Sequence, residues 1–91
     1  MGTPIKASSS GVVIYSGNGI TGYGNLIILR HQGEWATVYA HNQVNLVEEG
    51  MNVEKGQVIA KVGQTGNATG PHLHFEVRRN NIALDPMLLL K

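Results

Sequence analysis

The stretch Gly70-Pro71-His72-Leu73-His74-Phe75-Glu76-Val77 decides how the chain is read. Gly70-Pro71 is turn chemistry. The residues that follow alternate, so a strand here puts Leu73, Phe75 and Val77 on one face and His72, His74 and Glu76 on the other. At roughly 3.3 Å per residue, two imidazoles on one face lie about 6.6 Å apart along the strand. That spacing suits a metal ligand beside a catalytic base, two ligands of one ion, or a hydrogen-bonded polar patch with no further role.

Working outward, Gln64-Thr65-Gly66-Asn67-Ala68-Thr69-Gly70 is a loop of small residues leading into this strand. Before it, Val47 to Gly63 runs valine, a turn at Gly50, Val53, a second turn at Gly56, then Gln57-Val58-Ile59-Ala60, the pattern of a compact β corner. Glu48-Glu49 reads as a solvated turn. Earlier still, Asn25-Leu26-Ile27-Ile28-Leu29-Arg30-His31 and Trp35-Ala36-Thr37-Val38-Tyr39-Ala40-His41 form a hairpin about Gln32-Gly33-Glu34. Alternation places Trp35, Thr37, Tyr39 and His41 on one face, with His41 ending its strand and His31 at the opposite end of the hairpin. A lone histidine so placed is ordinarily a structural or surface residue. The glycine-rich loop from Asn18 to Gly24 follows the strand Gly11–Gly17. A phosphate cradle needs a helix after such a loop, and here another strand follows, so that reading fails. Downstream, Arg78-Arg79-Asn80-Asn81 closes a hairpin, Ile82-Ala83-Leu84 returns, Asp85-Pro86 ends it, and Met87 to Leu90 makes a terminal turn on the core. Seven or eight short strands with glycine turns and no sustained helical period predict an all-β sandwich or barrel.

A chain of 91 residues makes one domain with a modest core, and 42% hydrophobic against 14% charged residues fits a globular protein. The net charge of +1, with no basic run longer than Arg78-Arg79, argues against nucleic acid as a partner. There are no cysteines, which excludes disulfides, thiolate metal sites and a cysteine nucleophile. No apolar stretch reaches the ~20 residues of a membrane span. Met1-Gly2-Thr3-Pro4 starts polar and shows no signal peptide, as expected of a cytoplasmic protein or of a piece of a longer exported chain.

The order of these pieces resembles one family over nearly the whole chain. Gly2-Thr3-Pro4-Ile5-Lys6-Ala7, Gly11-Val12-Val13, Gly22-Tyr23-Gly24-Asn25, Tyr39-Ala40-His41, Gly50 through Gly63, Thr65-Gly66 and Gly70-Pro71-His72-Leu73-His74-Phe75-Glu76 are similar to the lysostaphin/LytM-type zinc endopeptidases, metallopeptidase family 23. The Gly50 to Gly63 corner is also similar to biotinyl and lipoyl carrier domains, but their Met-Lys-Met attachment hairpin is absent. The resemblance implies an all-β fold of two antiparallel sheets forming a groove, a duplicated hybrid motif of barrel-sandwich type, as a single domain over 1–91. It implies peptidoglycan peptides as substrate, cross-bridges or stems, and a periplasmic or extracellular, cell-wall location. By position, His74 matches the zinc-ligand histidine, and His72 and His41 match the two catalytic histidines. Neutral imidazole binds zinc, zinc lowers the pKa of its bound water towards ~7, and a second histidine takes a proton or stabilises the oxyanion.

One departure shapes the expectation. The family takes its other two zinc ligands from a histidine and an aspartate upstream of the Gly-Thr-Pro segment, a stretch missing here. Zinc is therefore expected in the complete domain and weak or absent in this chain, which is expected to be impaired or inactive as a zinc metalloendopeptidase. His31, Asp85 and Glu76 are the candidates to stand in; His31 is at the wrong end of the hairpin, and Glu76 lies on the same face two residues past His74. The alternative is a non-catalytic domain that activates a cell-wall amidase or binds peptidoglycan: Gly22 to Ile28 with Tyr39-Ala40-His41-Asn42 is similar to the amidase-activating lipoprotein members, whereas retention of His72 and His74 favours the peptidase. A homodimer through an exposed edge strand is a further expectation.

Overall fold

Apolar residues come in short runs between glycines and polar turns, and each run forms a strand. The computed structural model describes residues 2–20, 22–63, 74–79 and 82–84, with 74 and 82–84 described by their backbone. Through them run β1 (Pro4–Lys6), β2 (Gly11–Gly17), β3 (Asn25–Arg30), β4 (Trp35–Asn45), β5 (Asn52–Val53), β6 (Val58–Val62), β7 (His74–Arg79) and β8 (Ile82–Leu84). The expected loop at 64–70, Pro71-His72-Leu73, Asn80-Asn81, Asp85-Pro86 and the turn at 87–90 lie outside the described residues.

All pairings are antiparallel, in the order β1-β6-β4-β3-β2-β5, with β7 on β4 and β8 on β7. β4 organises the sheet. β3 runs along one of its edges from Ala36 to Asn42. The opposite edge is divided: β7 takes Trp35 to Ala40, and β6 takes Asn42 to Asn45. The architecture is the expected all-β one, and its strands form a single curled eight-stranded antiparallel sheet that branches at β4. The edge strands β1 and β5 have only 3 and 2 residues.

The run Leu26-Ile27-Ile28-Leu29 is apolar at every position because its strand is covered on both faces. On one face Ile27 and Leu29 join Val13, Tyr39, Val53 and Ile59 in a core that draws residues from β1 through β6. Phe75 packs against it, its ring 5.4 Å from that of Tyr39 and tilted by 55°. On the other face Leu26 joins Val38 and Ala40, flanked by Tyr15, Tyr23 and Ile28. Fully burying one such side chain contributes about 1.5–3 kcal/mol, so the sheet curls to close the first cluster and leaves a shallow groove over the second.

A chain of polar groups ties the first loop to the core. His31 Nδ1 meets the Ser10 carbonyl at 2.7 Å and Nε2 meets Thr37 Oγ1 at 2.7 Å. Thr37 Oγ1 bonds Tyr39 Oη at 2.9 Å, which bonds Ser8 N and Ser8 Oγ at 3.0 Å each. The Ser10 carbonyl can only accept, so Nδ1 donates.

Two predictions follow from this packing. Thr37→Val keeps the shape and removes the middle link, leaving buried Tyr39 and His31 each short of a partner; urea unfolding is expected to show a loss of roughly 1–3 kcal/mol. At Gly63 an added Cβ would lie 2.6 Å from Gln43 Cα and 2.9 Å from the Asn42 carbonyl carbon. Gly63→Ala must therefore push β6 away from β4, and thermal unfolding is expected to register about 1–3 kcal/mol of destabilisation.

Candidate functional site around His41

His41 sits where β4 hands its edge from β7 to β6. The register against β3 shifts there, with Asn25 opposite Asn42 but Ile27 opposite Tyr39, so β4 carries one extra residue. Against β6 it shifts again between Asn42 and Val44. His41 takes up the first irregularity with φ 60°. The left-handed region is sparsely populated by non-glycine residues, histidine being one of the more tolerant, and a bulge of this kind re-aims the chain. Alternation therefore holds from Trp35 to Ala40 and does not assign a face to His41. Nor does the strand end at His41, as the sequence reading expects: the bulge lets it continue four residues further, to Asn45, on a new partner.

Side chains and one loop carbonyl fasten the bulge. His41 N donates to the Tyr23 carbonyl at 2.8 Å. Asn25 Nδ2 donates to the carbonyls of Asn42 at 3.0 Å and Gln43 at 3.1 Å. Asn42, fully buried, donates to the Tyr39 carbonyl and to Asn45 Oδ1, and Asn45 donates to the Leu26 carbonyl. Bulged strands leave backbone groups without ladder partners, and amide side chains are suited to meet them. Tyr23 can offer its carbonyl because it is flanked by Gly22 at φ 89° and Gly24 at φ 64°, conformations open to glycine.

Ala40 pairs with His74 across β4 and β7, so the His41 and His74 backbones occupy neighbouring register positions. His72 lies outside the described residues. His31 stands at the other end of the hairpin, its N–H on the Trp35 carbonyl, about 20 Å along the strand at 3.3 Å per residue. Both its ring nitrogens are engaged, with Ser10 and Thr37. Glu76 is likewise committed: its Oε1 accepts from Arg78 Nη2 at 2.6 Å and Nε at 3.0 Å, and its Oε2 accepts from Tyr23 Oη at 3.2 Å. Among the described residues no three histidine, aspartate or glutamate side chains come together to hold a metal. A catalytic zinc needs three protein ligands and an open position, and the described residues do not fit that set.

The sheet also carries a cavity of about 330 Å³ lined by Ile14, Ile20, Tyr23, Leu26, Ile28, Ala36, Val38 and Arg78; Tyr23, whose carbonyl receives the His41 N–H, is the lining residue that joins it to the bulge. Its lining is mostly apolar with one charged rim, the make-up of a site that grips a chain or a side chain by shape. Asn25, Asn42 and Asn45, which hold the bulge, and Tyr23, which meets His41, are given no role by the sequence reading, because their spacing follows no simple period. A polar residue three positions beyond another, as in Asn42 and Asn45, is the one local signal available.

Comparison with known proteins sets this geometry in context. The model of peptidase family M23 matches residues 1–86. The chain is 46% identical over 89 residues to the uncharacterized lipoprotein YgeR of Escherichia coli, covering 98% of this chain and 35% of that protein. It is 43% identical over 89 residues to the murein hydrolase activator NlpD of the same organism, covering 98% of this chain and 23% of that protein. The chain thus spans about a third or less of the length of these relatives. Among solved structures it superposes on the catalytic domain of lysostaphin from Staphylococcus simulans with a TM-score of 0.93 and 40% identity, covering 99% of this chain and 71% of that one. With the family model matching residues 1–86, the chain belongs to peptidase family M23.

Proposed function

We propose that this chain is a non-catalytic M23 domain of the cell envelope that activates a cell-wall amidase, using the groove beside His41 as its binding surface. The observation that carries the reading is the commitment of two of the three stand-in ligands, the third, Asp85, lying outside the described residues. His31 is bonded through both ring nitrogens and Glu76 through both oxygens, so neither is available to complete a metal site. The groove that remains is apolar with a charged rim, which suits docking of a protein segment. Supporting this, a relative that matches 98% of the chain is named a murein hydrolase activator, and another is named a lipoprotein. Peptidoglycan is then the amidase's substrate and a second surface the domain meets.

A second reading, a zinc endopeptidase acting on peptidoglycan peptides, is favoured by one observation: His41 and His74 occupy neighbouring register positions across β4 and β7. The two readings separate in one assay. Purified chain is mixed with peptidoglycan, with and without a cell-wall amidase, and soluble fragments are measured. On the proposed reading the amidase releases fragments several-fold faster with the chain present, the chain alone releases none even with added zinc, and His72→Ala changes neither result. Release by the chain alone, falling about 10²–10⁴-fold in His72→Ala as for a lost acid–base group, would establish the endopeptidase instead.

A further inference from the structure

The loop that meets His41 is poorly anchored by its own backbone. Tyr23 lies between two positive-φ glycines, and its N–H reaches the Ile20 carbonyl at a long 3.3 Å. Yet its carbonyl must stay in place to receive the His41 N–H, which in turn sustains a left-handed residue in the middle of β4. The side chain supplies a tie that reaches across to β7. Tyr23 Oη donates to Glu76 Oε2 at 3.2 Å, and Arg78 Nη2 lies 3.4 Å from the same hydroxyl. Glu76 and Arg78 are two apart on β7, hence on one face, and form an ion pair of 2.6 Å with side-chain exposures of 16% and 33%. The ring itself packs against the cluster of Leu26, Val38 and Ala40.

We infer that Tyr23 and Glu76 are positioning residues for His41: a clasp in which β7 holds the phenol, the phenol holds the glycine loop, and the loop's carbonyl holds the His41 backbone. Arg78 orients the carboxylate so that its second oxygen faces the phenol. A charge-assisted acceptor strengthens the bond to a neutral donor, which a loop with little intrinsic preference requires. Glu76, acidic and two residues from His74, thus acts through Tyr23 on His41, and the clasp serves His41 whichever reaction the groove supports.

The test reads the His41 backbone and no activity, so its failure is distinct from failure of the proposed function. Amide hydrogen exchange is followed in the intact chain at His41 and, as an internal reference, at Leu29 in the β2–β3–β4 ladder. Tyr23→Phe keeps the packed ring and removes one oxygen; Glu76→Ala removes the acceptor. In Tyr23→Phe the ratio of the His41 to the Leu29 exchange rate is expected to rise about tenfold, the scale of one lost hydrogen bond to a charged group. Glu76→Ala is expected to match it, and the double variant to add nothing, since both break one link. An unchanged ratio in Tyr23→Phe, with the two amides accelerating together, would show a general structural role and overturn the clasp. So would a double variant whose effect is the product of the two singles. Should Glu76→Ala fail to fold, Tyr23→Phe alone decides.

Discussion

The fold turns on one backbone constraint: β4 must serve two different partners along a single edge. β7 pairs with it in regular register up to Ala40, and beyond that point β4 changes phase against both β3 and β6. The extra residue near His41 does this, and its cost falls on a histidine held at φ 60°, about 1–2 kcal/mol for a side-chain-bearing residue in the left-handed region. The bonds from Asn25, Asn42, Asn45 and the Tyr23 carbonyl offset it at about 0.5–1.5 kcal/mol each.

The same constraint separates the molecule into two ends with different chemistry. Near the hairpin turn, His31 is consumed by structure, linking the Ser8–Ser10 loop through Thr37 and Tyr39 to the core. The guanidinium of Arg79 lies 5.2 Å from the centre of the Trp35 ring at that end, a contact that packs the rim without lining the groove. Near the bulge the apolar cluster of Leu26, Val38 and Ala40 opens into the cavity under Arg78. The two histidines of this hairpin thus have unlike surroundings, His31 with both ring nitrogens bonded beyond the end of β3 and His41 at the bulge of β4.

Alternation was enough to read most strands. It put Phe75 on the core face, whereas the burial of β3 on both sides emerged only from the structure. The hairpin with His31 and His41 at opposite ends was legible because Gly33 and Glu34 interrupt two β-branched runs. The position of His41 within a longer strand was not, because a bulge leaves no period behind; it is created by pairing with strands some 20 residues away in sequence. The asparagines were opaque for a related reason. Their bonds go to carbonyls exposed by the bulge, and without the bulge they look like turn residues. Glu76 read as a spare carboxylate because Tyr23, 53 residues earlier in the chain, is invisible to local spacing.

Which side chains hold the bulge also bears on what the groove can be used for. Tyr23, Asn25, Asn42 and Asn45 are not residues from which a zinc site is ordinarily built. The groove itself is lined by apolar side chains with Tyr23 and Arg78. A hydrolytic M23 domain needs that shape together with a ligand set, whereas a docking domain needs only the shape. Because the two requirements are carried by different residues, loss of ligands would leave the binding surface intact, and a peptidase fold can pass to an activator's role without rebuilding its sheet. The rim residues then matter most: Arg78 and Tyr23 both face the cavity and both belong to the clasp, so the contact that steadies His41 is also the edge against which a partner would rest.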